Sequence, residues 1–347
     1  MSHNRAEIYR CTVNMGVEDR SIMVNADGFQ IDPAHQPDPE SCSFDVKVAL
    51  SSIVSIQTKI PGNAYTVQAL GAERRGHGVA INDKGLVLTI GYLVVEAETI
   101  WMIDHTCQAL NGHVVGYDQR TGFGLVQALG RLNAPALEMG SARNVHVGDP
   151  VILAGYGGLA NALNAIVAEK REFAGYWEYL LDEALFTEPP HPSWGGGALI
   201  DTQGKLCGIG SLFVQRNPDE LGSFDGNMVV PIDIINPILD DMVKFGRSQR
   251  PPRPWIGALS TEAKDHVIVV STSDGGPAAN AGLQAGDRVI GVAGEPVASL
   301  AHFYRRMWNL GDAGVEIPLD IVRAGRVSAV NIQSADRDTF YLSPRIH

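Results

Sequence analysis

The sequence predicts a mainly β protein made of a larger N-terminal unit and a smaller C-terminal one. Short β-rich runs follow one another with Gly, Asn and Asp turns between them, the pattern of a barrel or sandwich. Glycine is abundant at 38 residues and aromatics sparse at 7%, which favours short strands and tight turns over long helices. The basic, proline-rich run Gly246–Pro254 (GRSQRPPRP) has no core residue and reads as a semi-rigid linker dividing the chain.

Residues 1–45 form a polar N-terminal extension, with Ile8–Met15 and Ser21–Val24 as candidate strands and Asp32–Ser41 as a Pro-broken loop. The larger unit covers 46–245. Its expected strands are Val46–Thr58, Gly78–Ile81, Leu86–Ile90, Thr99–Ile103, His113–Tyr117, Gly124–Ala128, Pro150–Ala154, Ala198–Ile200, Leu206–Phe213 and Asn227–Val230. Ile232–Phe245 carries Ile235, Ile238, Leu239 and Met242 at helical spacing behind Pro231, which predicts a helix. After the linker, 255–335 is a compact unit with its own strands and one helix, N-capped by Ser299 and presenting Leu300, Phe303 and Met307 on one face. A tail, 336–347, follows.

The bulk chemistry excludes several classes. A net charge of −12 argues against a phosphate-tracking surface and so against a nucleic-acid partner, with Lys244–Arg253 the one basic patch worth weighing. Cys11, Cys42, Cys107 and Cys207 lie far apart without CxxC pairing, so buried or free thiols are expected rather than zinc or redox chemistry. No HExxH or similar spacing suggests a metal, and no cofactor is expected. Met1–Arg20 has no cationic stretch followed by an apolar run, and no apolar run approaches the ~20 residues of a bilayer span, so the expectation is a cytoplasmic chain without a membrane partner.

Three ordered blocks carry a specific resemblance. Gly76–Ile81 followed by Gly85–Thr89, Gly116–Val126 (GYDQRTGFGLV), and Pro192–Ile200 (PSWGGGALI) followed by Gly204–Ile209 resemble the catalytic segments of the HtrA/DegP family of serine proteases. Trp255–Ala258 and Gly276–Ile290 (GPAANAGLQAGDRVI), with Gly294–Val297 as the next turn, resemble the family's PDZ domain. The resemblance spans about residues 46–335. It implies a chymotrypsin-like double β-barrel followed by a PDZ domain, and a homo-oligomer, a trimer built through N-terminal segments.

The family's reaction needs a hydroxyl nucleophile, an imidazole base and a carboxylate that fixes the imidazole's tautomer. Carried onto this chain, the histidine position falls on Tyr92 (or, by one residue, Leu93), the aspartate on Gly122 and the serine on Gly195. Glycine has no side chain to attack or accept a proton, so the expectation is a pseudoprotease with no catalytic residue. Ser193 and His191 lie close to the vacant serine position, and an active serine-type endopeptidase with a rearranged site is the alternative. Against it, a two-residue shift moves a side chain off the nucleophile bend. Ser193 then reads as a turn residue, His191 as a loop residue, and His77, His105 and His113 as surface residues. Backbone N–H groups of Ser193 and Gly195, which form the oxyanion hole in the family, are a vestigial loop that can hold a carboxylate or carbonyl. The contrary reading has the loop collapsed, with Trp194 and Tyr92 filling the cleft.

Glu178, Asp182, Glu183 and Glu188, interleaved with Tyr176, Trp177, Tyr179, Leu180 and Leu181, are either a solvated face or a contact surface. In the PDZ-like unit, resemblance places the carboxylate-binding loop at Trp255, Ile256, Gly257 and Ala258. An extended ligand would lie between the Ile256–Leu259 strand and the Ser299–Asn309 helix, with Phe303 and Met307 lining its pocket. Expected partners are polypeptide C-termini or a partner protein. The groove could instead be plugged by the chain's own tail, through Phe340, Tyr341 and Leu342, or by a neighbouring subunit. The function expected is binding, as an adaptor, chaperone or accessory subunit.

Overall fold

The computed structural model describes residues 30–216, 224–263 and 266–342, so the strand expectations at 8–15 and 21–24 lie outside the described residues. The first barrel comprises β1 (Ile53–Lys59), β2 (Glu73–Ala80), β3 (Leu86–Ile90), β4 (Thr99–Ile103), β5 (Ala109–Tyr117) and β6 (Phe123–Ala128). They close in the order β1-β2-β3-β6-β5-β4. The second comprises β7 (Pro150–Ala154), β8 (Ala162–Gly175), β9 (Tyr179–Glu188), β10 (Ala198–Ile200), β11 (Leu206–Arg216) and β12 (Phe224–Pro231), closed as β10-β11-β12-β9-β8-β7. Closure removes free strand edges, which suits short strands rich in Val, Ile and Leu. One apolar core runs through both barrels, joining Ile56, Leu88 and Phe123 of the first to Ile152, Phe186 and Ile209 of the second. The double barrel expected from the sequence is the one observed.

The C-terminal unit is a sheet of β13 (Ala258–Ala263), β14 (His266–Thr272), β15 (Arg288–Val292), β17 (Glu316–Arg323) and β18 (Arg326–Gln333) in that order, with the short β16 (Glu295–Pro296) on β15. The Leu300–Trp308 helix covers it, and the Ser299 hydroxyl caps it by accepting the His302 N–H at 3.1 Å. Strand β13 has β14 on one side only, which leaves its second edge available for another chain segment.

The local expectations at 46–58 and 232–245 need correction. Residues Val46–Ser51 are a helix, not a strand: the Asp45 carboxylate caps it by accepting the Val48 N–H, and Val46, Ala49 and Leu50 bury one face. The expected helix at 232–245 is broken into a 3₁₀ turn (Ile232–Ile234) and an α-helix that starts only at Leu239. Pro237 supplies no N–H and restricts Asn236, so the helix cannot run through. Cys42 and Cys207 are free, but Cys107 is disulfide-bonded, which corrects the expectation of thiols at that position; Cys11 lies outside the described residues.

Two elements cross from one unit to the other. The hairpin β8–β9 stays paired out to Gly175 opposite Tyr179, leaving Tyr176, Trp177 and Glu178 as a three-residue tip that reaches the C-terminal unit. The tail returns the other way. Phe340 packs on Trp255 and Tyr65, with ring centroids 4.8 and 5.7 Å apart, and Tyr341 packs on Tyr65 and Tyr117. The Leu342 N–H ends on the Glu96 carboxylate at 2.9 Å. The described part of the tail is thus seated against the first barrel and does not plug the groove, contrary to that expectation.

Candidate functional site

The turn after β3, the turn before β6 and the loop before β10 meet where the two barrels join. Tyr92 sits in the 3₁₀ turn Gly91–Leu93, and the Gly91 N–H donates to the Gly122 carbonyl at 2.6 Å. A Cβ built on Gly195 would stand 2.8 Å from the Tyr92 hydroxyl oxygen. Positions 92, 122 and 195 are therefore neighbours in space, although 103 residues separate the first from the last. Tyr92 rather than Leu93 faces Gly195: the Tyr92 hydroxyl passes over it to donate to the Ser211 carbonyl at 2.9 Å, while Leu93 is buried in the core. Burial holds the Tyr92 phenol well above its ordinary range, so it stays a neutral donor. At Gly122 the backbone has φ +78°, and the Tyr179 hydroxyl, which donates to the Thr121 carbonyl at 2.7 Å, lies 3.0 Å from where a Cβ would be. That space and that backbone are unfavourable to a carboxylate side chain.

A second group of polar atoms lies beside these positions. His77 is not the surface residue expected but is 7% exposed, and His191, in the loop as expected, is 0% exposed. His105 and His113 are exposed. The His77 Nε2 is 2.8 Å from the Ser193 hydroxyl. Its other nitrogen, Nδ1, accepts the Tyr156 backbone N–H at 3.1 Å. A backbone N–H can only donate, so the ring proton is on Nε2 and is donated to Ser193 Oγ. His191 is held the same way: its Nδ1 accepts the Ser193 N–H at 3.0 Å, and its Nε2–H faces the Asn161 carbonyl at 3.2 Å. Burial pushes the His77 imidazole down to about 3, helped by the neighbouring His191, and pushes His191 itself down to about 4. Both rings are neutral hydrogen-bond bridges. The signal was present in Gly76-His77-Gly78, since glycines flanking a residue within a strand mark a close backbone approach.

The loop 191–197 is closed largely by its own bonds. The Ser193 N–H is occupied by His191, the Gly196 N–H donates to the Gly210 carbonyl at 2.8 Å, and the Gly197 N–H donates to the Trp194 carbonyl at 3.0 Å. The expected oxyanion pair is therefore corrected at one member: Ser193 has no free N–H to offer. The Gly195 carbonyl accepts the His77 N–H at 2.8 Å, and Trp194 leans on Phe213.

At the loop opening the C-terminal unit, backbone N–H groups face a carboxylate of the chain itself. The N–H groups of Ile256, Gly257 and Ala258 converge on the Glu178 side chain at 3.1, 2.7 and 3.0 Å. Of the other expected groove residues, Trp255 is buried under Phe340, and Leu259 is half-buried on β13. Phe303 and Met307 are 1% and 0% exposed, packed in a core cluster that also contains Leu180 of β9, so they line no open pocket. Of the acidic residues flanking the aromatic run, Glu178 is the contact residue, and Asp182 pairs with Arg305 on the helix. Among the described residues no group of His, Cys, Asp and Glu is placed to hold a metal, and no helix is long and apolar enough to cross a membrane.

Comparison with known proteins agrees with this fold. Residues 76–209 match the trypsin-like peptidase domain and residues 254–333 the PDZ domain. A probable periplasmic serine endoprotease DegP-like of Pseudomonas putida is 27% identical over 280 residues, covering 75% of this chain and 56% of the relative. The serine endoprotease DegS of Haemophilus influenzae is 24% identical over 297 residues, covering 83% and 85%. The chain spans little more than half the length of the DegP-like relatives it matches. Among solved structures, the serine endoprotease from Yersinia pestis aligns over 84% of this chain and 96% of its own with TM-score 0.50 and 23% identity. An HtrA-type protease AlgW with decapeptide aligns over 84% and 97% with TM-score 0.50 and 18% identity, a likeness of fold. The chain carries a trypsin-like peptidase domain followed by a PDZ domain and has DegP, DegS and other HtrA-type proteins as homologues.

Proposed function

We propose that this chain is a catalytically silent HtrA-type protein that binds polypeptide C-termini or a partner protein through its PDZ loop, as an adaptor, chaperone or accessory subunit. The observation that carries this reading is the pairing of His77 with Ser193. A general base must present an unprotonated nitrogen to the hydroxyl it activates. Here the nitrogen facing Ser193 carries the proton, because the Tyr156 N–H holds the other one as an acceptor. Positions 92, 122 and 195 add no nucleophile, base or carboxylate, since they hold Tyr, Gly and Gly. The PDZ loop supports the binding half of the proposal: its three N–H groups are arranged around a carboxylate, the chemistry of a chain terminus. Assembly into a homo-oligomer, a trimer as in the resemblance above, belongs to the same proposal.

The second reading, an endopeptidase using Ser193, is favoured by the 2.8 Å contact and by the serine endoproteases among the chain's relatives. It requires the His77 ring proton to move from Nε2 to Nδ1, which sets that N–H against the Tyr156 N–H and leaves the latter without an acceptor, a loss costing about 1–3 kcal/mol. Unfolded casein and a fluorophosphonate probe separate the two. The account expects no specific cleavage and no labelling. Cleavage and labelling that both vanish in Ser193→Ala would establish the endopeptidase instead.

A further inference from the structure

We propose that the hairpin tip 176–178 is an internal ligand of the PDZ groove, with the Glu178 side chain standing in for a peptide's terminal carboxylate, and that an external chain terminus binds only by expelling it. The inference rests on reading the groove as a peptide site.

The tip reproduces both halves of peptide capture by strand addition. The first is the carboxylate, whose Oε1 accepts from Gly257 and Ala258 and whose Oε2 accepts from Ile256. The second is main-chain pairing. Ala258 and Ser260 lie two apart on β13 and so present their N–H groups in the same direction. Ala258 donates to Glu178, and Ser260 donates to the Tyr176 carbonyl at 2.9 Å, on the edge of β13 that no other strand covers. Behind the tip, Leu180 enters the apolar cluster of the PDZ unit and Ala174 packs against it, where a ligand's side chains would go.

The tip is held as a ligand is held. The Tyr304 hydroxyl brackets it, accepting the Glu178 N–H at 3.2 Å and donating to the Gly175 carbonyl at 2.8 Å. Arg337 donates to the Trp177 carbonyl at 3.1 Å, and Arg305 reaches Glu172 and Asp182 on the two strands of the hairpin. Glu178 adopts φ +60°, a left-handed conformation unfavourable to a residue with a Cβ, and this is what turns its carboxylate into the loop. Its charge is buried, and desolvation pushes the carboxyl up to about 7, against the pull of the three N–H groups and Arg337. A strained, desolvated carboxylate is a replaceable occupant, kept in place by its high effective concentration as part of the same chain. Two carboxylates cannot share three N–H groups. Occupation by Glu178 and by a peptide terminus are therefore mutually exclusive.

The test is fluorescence anisotropy on the full chain with a labelled peptide copying residues 171–178, in which Glu178→Leu supplies a free C-terminus, and with its C-terminal amide. Glu178→Ala should bind the free-acid peptide about tenfold or more tighter than the wild type, as expected when the competent state is a minor fraction. Glu178→Gln should lie between them, and the amide should bind none of the forms. Tyr304→Phe, which removes the bracket without touching the loop, should also tighten binding, by a smaller factor, and keeps the test open if Glu178→Ala does not fold. Equal affinity of folded wild type and variants overturns the internal ligand while leaving the groove a peptide site. No binding of the free-acid peptide by any folded form overturns the groove reading itself.

Discussion

Two loops in this molecule present backbone N–H groups, and they are filled in different ways. The 191–197 loop is closed by covalent neighbours and by the strands beneath it: Ser193 on His191, Gly196 on Gly210, Gly197 on Trp194. In the loop opening the C-terminal unit, the N–H groups of Ile256, Gly257 and Ala258 turn outward onto one carboxylate, that of Glu178, from the far side of the linker. The first loop can be opened only by breaking the fold around it. The second can be opened by releasing one hairpin tip from the surface of the C-terminal unit. The two loops thus depend on different structural supports, which is what lets the proposed function separate a silent reactive centre from a binding one.

The largest effect that would break this contrast is at Gly196. It has φ +79°, and a Cβ there would stand 1.9 Å from the His77 carbonyl oxygen, with no flexible atom to yield. Gly196→Ala should lower stability by on the order of 3 kcal/mol or more, read as a fall in the urea midpoint. A loss under about 1 kcal/mol would mean the loop is not sealed in the way described.

A second effect, opposite in sign at the two loops, is expected from pH. His77 and His191 have folded-state values below the ordinary 6.5, at about 3 and about 4. The unfolded chain therefore takes up protons first as pH falls below 6.5. The stability these two groups contribute is complete above that pH and declines towards 4, at up to about 1.4 kcal/mol per pH unit for each. Glu178 is raised from 4.5 to about 7, so between those values the folded chain holds the extra proton. Its contribution therefore falls as pH rises from 4.5 through 7. Urea melts between pH 4.5 and 8 should show the acid-side loss shrink in His77→Gln and the neutral-side loss shrink in Glu178→Gln. The same sign at both loops would break the contrast.

Much of the fold was legible because its signals are local. Turn residues such as Asn82-Asp83-Lys84-Gly85 and the 276–290 motif each lie within a few consecutive residues, and the register that put Tyr92, Gly122 and Gly195 together needed only their order. The two local misreadings also had local remedies, in Asp45 as a helix cap and Pro237 as a helix breaker. What lay beyond the sequence was tertiary. Nothing near His77 in the chain announces Tyr156 or Ser193 as its partners, and nothing near Glu178 announces a nest of N–H groups beyond the linker. The interleaved aromatics left 176–181 open as a solvated face or a contact surface, and periodicity could not tell which of four carboxylates would be buried.

The comparison is tested most directly by amide hydrogen exchange on the folded wild type and Glu178→Ala. Removing the carboxylate should speed exchange at Ile256, Gly257 and Ala258 by about tenfold or more and leave Ser193, Gly196 and Gly197 as slow as before. Unchanged exchange at 256–258, or acceleration at both loops together, would contradict the account.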